Sequence, residues 1–466
     1  MLISTIDKIM NNQNIRKIKS LIGIDKAIFF SLINKLFGMV KIFITTYLII
    51  KCLNSSEQGY WYTFLSLGSL TVFAEMGFLN IISQFVSHEF AYLTENNDGI
   101  ISGPDEKVER FISFIHFALK FYSFIIPIAF CLLTFIGSIF LKQSGGNFLI
   151  ILAWIMYSFT GAVTLSVSLF SSILNGCNKV ADVQKYTFFS LLISNLGLWA
   201  ALLLGFKLWG LFVGTLLNII SGIILYYLAS PNLWKQIFLS KHLKPYNWFS
   251  ETLPLQWRYA LSWISGFFIF QFITPVTMFY AGAESAGKIG LSVSLVWSVL
   301  MAANLWPSTK TPLFNMFIAK NERKKLDKLF DITLKQSILV FCAGSLFLLI
   351  ICTFLFPMFQ WDKRILSPFE IFLLIIIGLT NITVINWATY LRAHKQEPYM
   401  LSSVVGAILT GMTIWLSMKL YASTTVTIWS YCIISLIILI YCRLVFITKR
   451  KEYSELGNYR ELINND

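Results

Sequence analysis

The sequence predicts an all-α membrane protein of about twelve transmembrane helices in two six-helix bundles, with both termini in the cytoplasm. Three observations carry this. Of 466 residues, 56% are hydrophobic and 13% charged, with a mean hydropathy of +0.69, whereas soluble domains carry about 25% charged residues. Apolar stretches of about 20 residues, the length that crosses a bilayer as a helix, recur twelve times: 27–50, 60–87, 111–141, 147–174, 186–206, 208–229, 258–281, 288–318, 332–356, 367–391, 399–420 and 424–447. If the N-terminus is inside and the spans alternate, twenty-four lysines and arginines fall on inside segments and seven on outside turns, as the positive-inside rule requires.

Taken in order, residues 1–26 form a polar, basic cytoplasmic segment with no evident cleavable signal. Residues 27–229 supply the first bundle. Long apolar runs there exclude a β-barrel, whose strands alternate over about ten residues. Its one acidic inside segment, "ENNDGIISGPDEKVER", does not disturb the topology, because carboxylates weigh little in it. Residues 230–257 mix Trp, Phe, Leu and Lys and read as a linker with a helix lying in the membrane interface. Residues 258–448 supply the second bundle, and 449–466 form a cytoplasmic tail. The longest outside turn, "FPMFQWDKRILSP", is about a dozen residues. It leaves no room for an external catalytic domain, so the chain is not read as an enzyme.

The net charge of +14 does not point to nucleic acid, because its distribution follows the membrane sidedness. "YAGAESAGKIGLS" carries Gly282, Gly287 and Lys288 at phosphate-loop spacing. However, Ile289 stands where Mg²⁺ needs a hydroxyl, and the flanks are spans rather than a strand and a helix. The stretch reads as an outer turn. The seven cysteines form no C-x-x-C and mostly sit in apolar helices, and the four histidines show no metal spacing. No cofactor or metal is expected.

A shift of 228 residues lays "EQGYWYTFLSLGSLTVFA" over "SAGKIGLSVSLVWSVLMA", matching Gly59 with Gly287, Ser66 with Ser294, Leu67 with Leu295 and Ala74 with Ala302. Each half has a Gly turn before its second span and a basic turn after its fourth, "NGCNKVADVQKY" and "RAHKQEPYM". Paired halves of this kind enclose a transporter site near the midplane.

The Gly turn entering span two ("SEQGYWYTFLSLGSLTVFAEMGF"), the "ILNGCNKVADVQKY" turn, and "LQWRYALSWISGFFIFQFITPV" at span seven carry a resemblance. Over about 27–448 the chain resembles the multidrug/oligosaccharidyl-lipid/polysaccharide (MOP) exporter superfamily in its polysaccharide branch, and is similar to O-antigen flippases of bacterial inner membranes. The resemblance implies a MATE-like fold with a V-shaped cationic cavity. It also implies an undecaprenyl-diphosphate-linked oligosaccharide as cargo, with a polysaccharide polymerase and a chain-length regulator as partners. It does not identify the sugar.

Ionisable groups inside spans are costly and face a cavity or a partner. Span one carries Lys35 and Lys41, and Asn34, Gly38 and Lys41 share a face. Lys41 either helps hold an anionic diphosphate or pairs with Glu75 of span two. Glu75, the one clear mid-span acid, is a candidate for coupling to H⁺ or Na⁺. Lys310 lies between Pro307 and Pro312, where a kink would open the backbone to a cavity. Otherwise it snorkels to the inner face. Arg258, beside Gln256 and Trp257, either meets a diphosphate at the inner face or serves as an ordinary anchor. His116 and Lys120, near the inner end of span three, read as structural. Asn80, Ser83 and Gln84 line the cavity or bond a neighbouring helix.

Two rival functions follow. A drug/cation antiporter of the same fold would want acidic cavity residues, but this chain has more cations than acids in its spans. A membrane polymerase or acyl/glycosyl transferase would want a large outer loop or a carboxylate/His/Arg cluster.

Overall fold

The computed structural model describes residues 26–96, 99–240, 246, 253–394 and 398–463. Most of the expected N-terminal segment and part of the linker lie outside these residues. Apart from a two-stranded hairpin, β1 (Thr94–Glu95) and β2 (Ile101–Ser102), the described secondary structure is helical. The helices are α1 (Lys26–Cys52), α2 (Ser55–Gly68), α3 (Thr71–Glu75), α4 (Phe78–Phe90), α5 (Asp105–Gln143), α6 (Phe148–Gly176), α7 (Val180–Leu203), α8 (Trp209–Ala229) and α9 (Pro231–Leu239). They continue with α10 (Leu253–Phe270), α11 (Ile273–Ala303), α12 (Leu305–Ala319), α13 (Arg323–Ile350), α14 (Pro368–Ala393), α15 (Met400–Tyr421) and α16 (Thr424–Ile463).

Ten of the described helical segments are long and apolar enough to span a membrane, and eleven if the bent pair 55–75 and 78–90 forms one span. One of the ten, Ala260–Ile318, runs through Gly282 at φ 83°, ψ 174°. A side chain rarely adopts that φ, and glycine does so at no steric cost. Divided at this outer turn, the segment gives two spans, and the total reaches twelve. The phosphate-loop look of "YAGAESAGKIG" therefore comes from a reversal between two helices, and Lys288 pairs with Glu284 at 3.3 Å.

In the N-terminal half, α1 packs on α7, α5 on α6, and α8 on both α6 and α7. In the C-terminal half, α10 packs on α15, α13 on α14, and α16 on α14 and α15. One apolar core runs across both halves and includes Phe64 and Trp154, and each half has a further cluster of its own. Trp154 of α6 is fully buried, donates its indole N–H to the Leu133 carbonyl at 3.1 Å, and meets Phe64 edge-on at 5.2 Å. Trp154→Ala should cost about 3–5 kcal/mol. It would be read as a fall in the thermal unfolding midpoint in detergent, and a midpoint equal to the parent's would refute this packing.

A short helix covers 231–239 of the expected linker. Its apolar face is taken up by the N-terminal bundle: Leu233, Trp234 and Ile237 are buried. The Gln236 amide pairs with both the N–H and the C=O of Ile101 at 2.8 Å, and His116 lies 2.6 Å from the Ile237 carbonyl. His116 thus has a structural role, as expected.

At the inner end of α14, His394 stacks on Tyr453 at 4.1 Å and lies 3.1 Å from the Tyr390 carbonyl. Burial, the largest influence, holds its imidazole below its ordinary value. The Tyr390 carbonyl and Asp327 act the other way, and Arg323 adds to the lowering. A lowered folded value means that stability is present above the unfolded pKa of about 6.5 and is lost as pH falls below it. Thermal midpoints should therefore drop between pH 7.5 and 5.5, and less steeply for His394→Gln. Parallel profiles for the two proteins would rule out this contribution.

Candidate functional site

The two halves meet along spans two and eight. Near their outer ends α2 and α11 touch backbone to backbone. A methyl on Gly59 would lie 1.9 Å from the Ala283 carbonyl oxygen, and one on Gly287 would lie 3.0 Å from the Gly59 nitrogen. These are the two glycines aligned by the 228-residue shift, so residues that correspond in the two halves face each other across the seam.

Further in, both spans are interrupted at corresponding places. Span two breaks at Met76 (φ 50°) and Gly77 (φ 70°) and bends by 49°. In span eight the helical pattern is interrupted at Asn304, 228 residues after Met76, although Asn304 itself keeps helical angles (φ −70°, ψ −3°). Matching interruptions in two halves mark the binding region of repeat-built transporters. Where a kink was expected around Lys310, the structure has this interruption, three residues before Pro307. Proline has no N–H and leaves the carbonyl four residues earlier unbonded. Here that carbonyl belongs to Ala303, and it accepts the Ser337 hydroxyl at 3.1 Å, backed by the Asn386 amide at 3.1 Å.

Inward of the breaks, both spans expose polar side chains at membrane depth. Asn80, Gln84 and Ser87 do so on α4, and Ser308, Thr309 and Asn315 on α12. Asn80 and Ser308 correspond under the shift, as do Ser87 and Asn315. Polar groups at this depth are expected to face water rather than lipid tails, so the two stripes outline a wet crevice between the halves.

The predicted cations and acid take different places around this crevice. Helix α1 has three faces. Leu36, Val40, Phe43, Ile44 and Tyr47 are exposed and form the lipid stripe. Asn34, Phe37 and Thr45 meet α7: the Asn34 amide donates to the Gln184 carbonyl at 2.7 Å and to its side-chain oxygen at 2.9 Å, Phe37 packs on Phe188, and Thr45 accepts from Trp199. Lys35 lies on the third face, and its ammonium donates to the Ser308 hydroxyl of the other half at 2.9 Å. Lys41 continues the row that meets α7, about 240° around from Lys35 and about 9 Å deeper.

Among the described residues Lys41 has no hydrogen bond or ion pair, and the expected partnership with Glu75 is not formed. The Glu75 carboxylate instead accepts the Leu79 N–H at 3.0 Å, capping α4. A carboxylate at a helix N-terminus satisfies an open donor and meets the favourable end of the dipole. Glu75 is buried, within electrostatic reach of Tyr122, whose buried hydroxyl has no hydrogen-bond partner among the described residues. Lys310 is half-buried two residues beyond Ser308. Gln256 is buried in the first turns of α10. The side chain of Arg258 lies outside the described residues.

The sequence reading passed over Ser308 and Arg364. The 228-residue shift could have found Ser308, through its match to Asn80. Arg364 carries no local signal and was counted only as an outer-turn charge.

No family model matches the chain, and no curated protein matches it. Solved structures do. One is the inward-facing conformation of a multidrug resistance MATE family transporter of the MOP superfamily, at 11% identity over 92% of this chain and 99% of that one, with TM-score 0.66. Another is the lipid II flippase MurJ in an inward closed conformation, at 14% identity over 94% and 93%, with TM-score 0.60. A third is a MOP superfamily transporter from Pyrococcus furiosus whose binding pocket has reverse polarity, at 11% identity over 91% and 95%, with TM-score 0.56. At these identities the likeness is one of fold: the chain has a helical, polytopic membrane architecture similar to that of these solved transporters.

Proposed function

We propose that the protein is an alternating-access flippase. It moves an undecaprenyl-diphosphate-linked oligosaccharide, an O-antigen or similar surface-polysaccharide unit, across the bacterial inner membrane and delivers it to a polymerase and chain-length regulator. The observation that carries this reading is the crevice inward of the matched breaks, polar on both walls and bordered by lysines. Lys35 reaches across it to Ser308, and Lys310 follows on the same helix. Ammonium groups in a partly dehydrated cleft hold phosphate oxygens through charge-assisted hydrogen bonds, and the protein contributes no covalent chemistry. Lys35 would exchange Ser308 for a diphosphate oxygen. Lys41 lies deeper on the N-terminal side, and Gln256 and Arg258 belong to the inner entrance. The isoprenoid chain would stay in lipid.

Glu75 is the proposed coupling group for H⁺ or Na⁺. Its capping bond ties its charge to the α4 end of the break. A drug/cation antiporter is the second reading, favoured by this same buried carboxylate and by the multidrug transporter among the structural relatives. The relative with a pocket of reverse polarity supports the view that the fold does not set the sign of the cargo. Here the lysines outnumber the acid.

The deciding experiment is the leaflet distribution of lipid-linked oligosaccharide in cells lacking the protein. Accumulation on the cytoplasmic side, reversed by the native chain, is expected. Unchanged lipid-linked sugars in a strain with no redundant flippase would sink the flippase reading in favour of the antiporter.

A further inference from the structure

The outer ends of the two halves are bound together by groups that come from different halves and sit far apart in sequence. We infer that Arg364, in the outer turn between α13 and α14, is the lock that holds the outer side shut while the inner crevice is open. This rests on the alternating-access reading and adds the residue that sets its resting state.

The geometry is that of a helix cap supplied by the opposite half. The last turn of α1 leaves backbone carbonyls without intrahelical partners. The Arg364 guanidinium takes two of them, donating to the Ile50 carbonyl at 3.2 Å and to that of Leu53, and it also donates to the Ser55 hydroxyl at 3.0 Å. A cation at a helix C-terminus is favoured by the dipole as well as by the bonds, and the planar guanidinium can serve several acceptors at once.

A second residue ties the same point from the other side. Gln58, buried at the start of α2, donates from its amide to the Arg364 carbonyl at 2.9 Å and to the Gly287 carbonyl at 2.8 Å. The Leu366 N–H donates to Ser292 at 3.1 Å, anchoring the Arg364 turn on α11. Beneath these bonds lies the Gly59–Gly287 contact, which has no room for a methyl group. At the inner end, the one hydrogen bond across the crevice among those described above is Lys35 to Ser308. Part-way along the seam the Ser66 hydroxyl also donates to the Gln271 carbonyl of the other half, so most of the ties named here sit at the outer face, and all of them must break for the outer side to open. Removing the guanidinium leaves two carbonyls free to take water once the helices part, so the open state loses nothing that the closed state keeps.

The test is a distance measurement by electron spin resonance in lipid nanodiscs. Spin labels are placed at Leu204→Cys and Tyr421→Cys, exposed positions at the outer ends of α7 and α15, in a chain with the seven native cysteines replaced. No cargo is present, so the result is independent of what the protein transports. Gly59→Ala, whose methyl would overlap the Ala283 backbone carbonyl, parts the same helices mechanically and supplies the open-state distance. Arg364→Gln is expected to raise the open-to-closed ratio about tenfold or more, the loss that follows from removing charged hydrogen bonds, with Arg364→Lys in between. If Arg364→Gln does not fold, Gln58→Leu is expected to raise the same ratio by a smaller factor. A folded Arg364→Gln protein with the parent's distance distribution would overturn the proposal, as would a Gln58→Leu protein that stays closed in its place. Opening by Gly59→Ala alone would make the glycine seam the lock and overturn the assignment to Arg364.

Discussion

Cells whose only copy carries Lys35→Ala should flip lipid-linked oligosaccharide about ten- to a hundredfold more slowly than cells with the parent protein, at equal protein level. The magnitude is that of one charged hydrogen bond to a phosphate in a partly dehydrated site. The direction comes from the position of Lys35: it is on the crevice face of α1, and its partner Ser308 is a neutral hydroxyl that a diphosphate displaces. Lys35→Arg should restore most of the rate, since the charge and donors remain. Ser308→Ala should leave the rate within about twofold, because Ser308 holds Lys35 only while no phosphate does. Lys41→Ala provides the comparison. Lys41 has no partner among the described residues and lies on the α7 side, so a similar loss there would extend the cargo path into the N-terminal bundle. A rate unaffected by Lys35→Ala would remove the main support for an anionic cargo at the crevice.

Replacing Glu75 separates two roles that share one carboxylate. Its oxygen caps α4 through the Leu79 N–H, and its charge is the proposed coupling element. Glu75→Gln keeps an acceptor of nearly the same shape and cannot ionise. Glu75→Ala loses both and leaves an open donor at the break, at about 1 kcal/mol or more of stability. Under the coupling proposal, Glu75→Gln is as stable as the parent, but its transport no longer responds to an imposed proton or sodium gradient. Glu75→Ala is both inactive and less stable. Gradient-driven transport by Glu75→Gln at the parent's rate would reduce Glu75 to a helix cap. The backbone beside it, where Met76 is left-handed, is strained in a way common at functional joints.

The membrane architecture was legible because its signals are local and additive. Twenty apolar residues make a span wherever they occur, and lysines sort to one side by charge alone. The turn at Gly282 and the pairing of Gly59 with Gly287 were visible for a related reason: a repeat preserves the residues its symmetry brings together. The presence of lysines in the spans was equally plain.

What the sequence left open was which neighbour each polar group would meet. Helical periodicity fixes the angle between Lys35 and Lys41 but not the face toward which either turns. Only the packing of α1 against α7 assigned Lys35 to the crevice side and Lys41 to the α7 side. Glu75 at a similar depth suggested a pair with Lys41, yet the break at Met76 created an unfilled N–H at Leu79, and a bond four residues away was cheaper than an ion pair between helices. Arg364 shows the limit most clearly. Its acceptors at Ile50 and Leu53 are more than three hundred residues earlier in the chain. They are carbonyls, whose availability depends on where a helix ends rather than on any side chain. The sequence by itself determined the spans, their sidedness and the charges they carry. The tertiary structure alone decided which of those charges face the crevice, which cap a helix and which hold the halves together, because each of those outcomes depends on a contact between segments with no shared local pattern.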